Sequence, residues 1–255
     1  MQTIQSRMPS TYNTYFEPFF GGGAVFFSLQ PKQAVINDKN IFLINTYNKI
    51  KENPYKVIEI LSEYETAYNS LKTKGEKDMY YLEARKRFND NTTNDLSLAA
   101  LFIFLNKTCF NGLYRVNQNG YFNVPSAHKE NIKLYDTKNI LEVSDSLKNT
   151  EIYNDDFELI CSKAAEGDFV FFDSPYYDTF DSYQSGGFSE ADHKRLYDLF
   201  CKLTDKGVYC MLTNSNTDFI KELYKKYSIE IVDVKRMINC DSSKRKGTEV
   251  IVVNY

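Results

Sequence analysis

The chain has 255 residues, of which 42% are hydrophobic and 25% are charged, with a formal net charge of −3. That length can bury a full core, and the composition excludes a disordered, collagenous or disulfide-framed polypeptide. The mild acidity argues against a large nucleic-acid footprint unless a local basic face supplies one. No apolar run reaches the length of a membrane span, and the opening MQTIQSRMPSTYN has no apolar core for a secretory signal. Cys109, Cys161, Cys201, Cys210 and Cys240 are odd in number and lack a CxxC pair, with only His128 and His193 beside them. This pattern predicts reduced thiols in a cytoplasm, with neither a disulfide set nor a metal site.

In chain order, Tyr15-Phe16-Glu17-Pro18 predicts a short strand, Phe19 to Gly23 a glycine turn, and Ala24 to Leu29 a buried helix. Ala34-Val35-Ile36 predicts a second strand ending in Asn37-Asp38. Asn40 then caps an amphipathic helix through Ile41, Ile44, Tyr47 and Asn48. The stretch from Pro54 to Lys148 reads as mostly helical with charged faces, including an apolar helix from Leu96 to Leu105. Inside it, Asn119-Gly120 between Tyr114–Asn117 and Tyr121–Val124 is a hairpin signal. The last third alternates: helix Phe157–Ala165, strand Phe169–Phe172, helix Ser189–Asp205, strand Val208–Thr213, helix Thr217–Tyr227, then strands Ile229–Val234 and Thr248–Asn254. The fold class is therefore α/β, a mixed sheet built from both ends of the chain with helices on both faces. Its expected parts are residues 1–53 and 149–255, with 54–148 inserted between them. Arg85-Lys86-Arg87 and Lys244-Arg245-Lys246 read as solvated basic faces.

Three constellations carry chemistry. Gly21, Gly22 and Gly23 after a strand permit positive φ and close backbone approach to a ligand. They match neither GxGxxG nor a P-loop. Asp38 follows at the interval at which an acid of such folds reaches a ribose diol. A nucleoside cofactor without a pyrophosphate fits this layout, and S-adenosylmethionine is the candidate. The tetrapeptide Asp173-Ser174-Pro175-Tyr176 closes the apolar run Phe169–Phe172, placing an acid acceptor, a stiffened backbone carbonyl and a stacking ring at a strand's carboxyl end. Those groups suit a planar base with an exocyclic amine. In the hairpin, alternation puts Arg115 and Asn117 on one face, where arginine can pair with guanine and asparagine with adenine in a major groove.

With these pieces in hand, the sequence resembles the Dam/DpnII-type adenine-N6 DNA methyltransferases from about Tyr12 to Tyr255. The likeness rests on FEPFFGGGAVFF, INDKN, FNGLYRVNQNGYFNVP, Asp156-Phe157, DSPY and LTNS at Leu212–Ser215, in the family's order. The resemblance implies a Rossmann-like methyltransferase sheet, with residues 54–148 as a target-recognition insertion. It implies methyl transfer to adenine flipped out of double-stranded DNA, at GATC or another GAT-starting site. Asp173, Ser174, Pro175 and Tyr176 would be catalytic. Phe20, Gly21, Gly22 and Gly23 would surround the cofactor, Asp38 would hold its ribose, and Asp156 and Phe157 would lie near its adenine. Arg115, with Asn111, Leu113 and Pro125 nearby, would read bases. A cytoplasmic monomer or weak dimer, bacterial or phage-encoded, is implied, without membrane or metal, in a setting such as restriction-modification.

Two departures carry expectations of their own. Ser174 stands where the family usually has proline, which predicts lost rigidity rather than lost activity. Family members carry a Lys/Trp-Gly-Gly-Lys segment upstream of the cofactor strand and this sequence begins after it, so a truncated chain or weak cofactor binding is expected. Cytosine-N4 methylation and a DNA-binding protein with a weakened cofactor site remain as alternative readings.

Overall fold

A computed structural model describes residues 2–91, 93–177, 188–235 and 246–255. Helix α1 (Gln2–Gln5) precedes β1 (Tyr15–Glu17), α2 (Ala24–Leu29) and β2 (Ala34–Asn37). Helices α3 (Ile41–Glu52), α4 (Pro54–Ser70), α5 (Lys74–Asp90) and α6 (Asp95–Thr108) follow, then a 3-10 turn at Phe110–Gly112 and α7 (Thr137–Ser146). The remainder runs β3 (Thr150–Tyr153), α8 (Phe157–Cys161), β4 (Phe169–Asp173), α9 (Glu190–Asp205), β5 (Tyr209–Ser215), α10 (Asp218–Leu223), β6 (Ser228–Lys235) and β7 (Lys246–Val253).

The strands form one sheet in the order β3-β2-β1-β4-β5-β7-β6. β1 is parallel to β2 and β4, and β4 to β5, while β7 runs antiparallel to both β5 and β6. Residues Phe169 to Phe172 of β4 are wholly buried, as a continuous apolar run in a central parallel strand must be. Val170 and Phe172 share a core with Phe16, Leu212, Val252 and residues of α8, α9 and α10. On the opposite face, the Phe169 ring lies 5.9 Å from that of Tyr15, which lies 6.5 Å from Phe26 of α2. The expected mixed α/β sheet covered on both faces is what the chain forms. β1 is flanked by β2 on one side and β4 on the other, so the chain reverses its direction of winding there. Ligands of open α/β sheets bind beside such a point, at the strands' carboxyl ends.

The described residues fall into two compact units, 2–39 with 153–177 and 188–255, and 40–152. The second unit starts at the cap of α3 rather than at Pro54, because α3 packs with the middle helices. Phe42 sits 4.5 Å from the Phe88 ring, and Ile50 joins Leu61, Leu101 and Leu105 in one core. α5 opens with a capping box between Thr73 and Glu76, a device that contributes about 1 kcal/mol.

Several boundaries differ from the periodicity. The helix expected over Phe157–Ala165 stops at Cys161, because the Asp168 carboxylate takes the Ala165 N–H at 2.9 Å and the Thr14 N–H at 2.9 Å. The helix expected to Tyr227 stops at Leu223, where Tyr224 turns its ring into the core against Phe200. Arg85 is not a solvated cation: its Nη1 donates to the Val124 carbonyl at 3.2 Å. Cys109, Cys161, Cys201 and Cys210 are free thiols. Cys240, Lys244 and Arg245 lie outside the described residues. Among the described residues, no helix is long and apolar enough to cross a membrane, and no group of three acidic, His or Cys side chains could hold a metal.

Candidate active site

Because β1 and β2 are parallel neighbours, their ends bring Glu17-Pro18 and Asn37-Asp38 to one rim of the sheet. Between β1 and α2 the chain turns tightly: Gly23 N donates to the Phe20 carbonyl at 2.8 Å, and Phe20 N to that of Asn37 at 2.9 Å. Gly21 and Gly23 have φ of 49° and 63°, the left-handed region that favours glycine. The two are glycine for different reasons. A Cβ at Gly23 would come within 2.5 Å of the Phe20 ring, whereas at Gly21 or Gly22 it would meet nothing within 4 Å. The Phe20 ring itself is buried against Phe26 and Phe27, so its backbone shapes the turn. Asp38 Oδ2 accepts from Gly21 N at 2.8 Å, which couples the acid to the turn.

The roles of two groups at this rim are not legible in the sequence. Asn37, 1% exposed, donates through Nδ2 to the carbonyls of Pro18 (3.0 Å) and Asp155 (3.1 Å) and accepts from Asp155 N at 2.8 Å. It thereby ties the loops after β1, β2 and β3 together. An amide ending an apolar strand was its only signal. Arg195 of α9 donates to Asp156 (3.0 Å), Glu158 (2.7 Å) and Asp192 (3.1 Å), and its guanidinium lies 4.9 Å from the centre of the Phe157 ring. Asp156 also caps α8 by accepting from Glu158 N. Phe157 is buried, with the Phe19 ring 5.3 Å away.

At the end of β4, Asp173 is exposed to solvent, although the protein around it crowds its carboxyl. The crowding pushes its carboxyl up, and hydrogen bonds from Thr213 and Tyr176 pull it down, leaving it raised. Because the residue is exposed, the crowding acts less strongly here than on a sealed group. Thr213 Oγ1 donates to Asp173 Oδ1 at 2.7 Å. The Tyr176 hydroxyl lies 3.4 Å from the same oxygen and 3.2 Å from Glu249 Oε2. Among the described residues no partner occupies Oδ2. Ser174 is buried and its hydroxyl accepts from Asn214 Nδ2 at 3.2 Å. Asn214 also accepts from Tyr177 N at 2.9 Å, so it restrains both flanks of Pro175. That tether replaces part of the stiffness a proline at Ser174 would supply.

In the second unit, the hairpin expected around Asn119-Gly120 forms. Val116 pairs with Phe122, and Asn117 N donates to the Tyr121 carbonyl at 2.8 Å, leaving a three-residue loop with Gly120 at φ 79°. The Asn117 side chain holds this loop by accepting from both Asn119 N and Tyr121 N at 3.0 Å. α5 holds the ribbon through one stripe: Tyr81 and Arg85 donate to the Val124 carbonyl, and Asn89 brackets Phe122. Tyr114 packs on Phe102 and Phe122. Arg115 is exposed on the other face, with Nε donating to Asn123 Oδ1 at 2.7 Å. Asn111 has φ 54° in the turn before it, Leu113 is half-buried, and Pro125 is exposed while its carbonyl accepts from Phe110 N.

The family model described as "D12 class N6 adenine-specific DNA methyltransferase" matches residues 1–238. The Lactococcus lactis subsp. cremoris type II methyltransferase M1.LlaDCHI is 42% identical, over 99% of this chain and 90% of that one. Type II methyltransferase M.MjaIII of Methanocaldococcus jannaschii is 41% identical, over 94% of this chain and 88% of its own. The DNA N-6-adenine-methyltransferase of Escherichia phage P1 is 32% identical over 90% of this chain, which corresponds to 30% of that longer protein. With an acid-tipped central strand, a glycine turn and an acid-capped neighbour in one α/β sheet, and with this match along most of its length, the chain belongs to the D12 class of N6 adenine-specific DNA methyltransferases.

Proposed function

We propose that this enzyme transfers a methyl group from S-adenosylmethionine to N6 of an adenine flipped out of double-stranded DNA, at GATC. The observation that carries the reading is the Asp173 carboxylate at the exposed end of β4: Thr213 holds Oδ1, and among the described residues Oδ2 has no hydrogen-bond partner. The cofactor fits the residues at the neighbouring strand ends. Gly21 and Gly22 leave room for close approach, Asp38 stands beside them as a hydroxyl acceptor, and Asp156 and Phe157 offer an acid and a ring. A carboxylate acceptor at this rim suits a cationic sulfonium compound with ribose hydroxyls. When bound, the cofactor supplies an electrophilic methyl group.

This chain's own residues supply orientation and electrostatics. An exocyclic amine cannot be reached inside a base stack, so the target is taken out of the duplex. Asp173 Oδ2 and the Ser174 carbonyl accept the two amine hydrogens, localising the nitrogen lone pair. The proton shed by the amine is taken at Asp173 Oδ2 and passes to solvent. Tyr176 stacks on the extracted ring, and Pro175 holds the carbonyl before it in an extended conformation. In the helical unit, Arg115 reads guanine, with Asn111, Leu113 and Pro125 completing the base-reading ribbon; Asn117, whose Oδ1 holds two backbone N–H groups, offers a base only its Nδ2 rather than the two-bond pairing its residue type suggests. The sheet-bearing unit carries the transfer, in a cytoplasmic setting such as restriction-modification.

The test is to incubate the enzyme with the cofactor and duplexes carrying GATC or single-base variants, then to identify the methylated nucleosides by mass spectrometry. N6-methyldeoxyadenosine confined to GATC is expected. N4-methyldeoxycytidine would replace the reading with cytosine methylation. DNA binding without any methyl transfer would favour an occupancy role.

A further inference from the structure

We propose that Thr213 is a positioning residue for methyl transfer, holding Asp173 by one carboxylate oxygen so that the other is presented to the target amine. The inference rests on the reading of Asp173 as the acceptor for that amine. Asp173 and Thr213 are register partners on the parallel strands β4 and β5, so their side chains leave the same side of the sheet edge. The Thr213 hydroxyl is buried with its residue and donates to Oδ1 at 2.7 Å. A carboxylate at a strand end otherwise rotates about two side-chain bonds. A donor fixed by the neighbouring strand removes that freedom before substrate arrives, which is the kind of preorganisation that lowers a barrier in an orientation-limited reaction.

The same bond stabilises the charged form of Asp173. Other groups also act on that carboxylate. Glu17 and Tyr15 face it from β1, Tyr176 donates to it from the following loop, and Glu249 of β7 shares the Tyr176 hydroxyl. The Thr213 bond opposes the crowding that raises this carboxyl. Losing the bond should therefore move the acidic limb of the rate profile to higher pH.

The experiment compares Thr213→Val, which keeps the shape and deletes the hydroxyl, with Thr213→Ser, which keeps the donor, and with Asp173→Asn. Single-turnover methylation of GATC duplex is followed across pH, and DNA affinity is measured separately. For Thr213→Val the expected result is a kcat reduced about ten- to a hundredfold, as for a lost hydrogen bond to a charged group. Its DNA affinity should stay within about twofold of wild type by the same conversion, and its acidic limb should move upward. Thr213→Ser should restore most of the rate and the position of the limb. A Thr213→Val enzyme with wild-type kcat and pH profile overturns the proposal, as does a slow one whose limb is unmoved and which serine does not rescue. If Asp173→Asn retains activity, the underlying reading of Asp173 fails instead, and the two failures are thereby told apart.

Discussion

The Tyr15 hydroxyl donates to Glu17 Oε2 at 2.8 Å inside the sheet, and both side chains are buried on the strand next to the one that carries Asp173. Burial raises the Glu17 carboxyl from an ordinary 4.5 to about 8; the Tyr15 bond pulls it down, and the charge of Asp173 pushes it further up. A carboxyl that binds its proton more tightly when folded contributes stability that is complete below its unfolded value and lost as pH rises through the folded one. Asp173 is raised as well, so it acts in the same sense. The melting temperature of the cofactor-free protein should therefore fall as pH rises from about 4.5 to about 8. Glu17→Gln, neutral throughout, should flatten the fall. A Glu17→Gln protein with an unchanged slope in thermal melts across that window would remove Glu17 as its cause.

The glycines of the turn separate packing from ligand approach. Gly23→Ala places a Cβ into the Phe20 ring at positive φ, a strain of about 1–3 kcal/mol that should appear as lost stability in chemical denaturation. Gly22→Ala meets nothing and should leave the denaturation midpoint unchanged while weakening cofactor binding in calorimetry. Equal destabilisation by both would mean that the turn is purely structural.

How far these features are legible in sequence depends on what holds each one. β4 is readable because all four of its apolar residues are buried on a two-faced sheet, leaving an unbroken run that only the acid ends. The glycine turn is readable because positive φ at Gly21 and Gly23 restricts composition at those positions. The roles of Thr213, Asn37 and Arg195 are not, although the first two lie in quoted motifs, because each acts through a side-chain bond to a residue roughly 40 or more positions away that only tertiary packing brings close. The hairpin was visible in Asn119-Gly120, yet its loop type was decided by the Asn117 side chain capturing two backbone donors. Local capture of the same kind, by Asp168, shortened α8.

Arg115 and Asn123 should act together in sequence discrimination. Arg115→Ala should cost about 1–3 kcal/mol of preference at the first guanine of the site. Asn123→Ala, which removes the acceptor holding Nε at 2.7 Å, should relax the same position to a smaller extent. Methylation of a panel of single-base GATC variants checks both. Uniform weakening with a shallower salt dependence would instead make Arg115 a phosphate contact.

Asp38→Ala should raise the dissociation constant for S-adenosylmethionine about ten- to a hundredfold, the worth of a charge-assisted hydrogen bond. DNA affinity should change little. Because Asp38 also holds Gly21 N, part of the loss should reflect a looser turn. Asp38→Asn, which keeps an acceptor oxygen, should be less affected than Asp38→Ala. Comparable losses for DNA and cofactor in calorimetry would point to a structural acid.

The central claim is that the Asp173 carboxylate orients an adenine amine for methylation. The most direct measurement is single-turnover methylation of GATC duplex by Asp173→Ala, with DNA binding measured on the same preparation. The account predicts a rate lower by about 10²–10³, on the scale of removing one orienting electrostatic group, with DNA affinity close to wild type. Near-normal transfer of methyl groups to adenine by Asp173→Ala would contradict it.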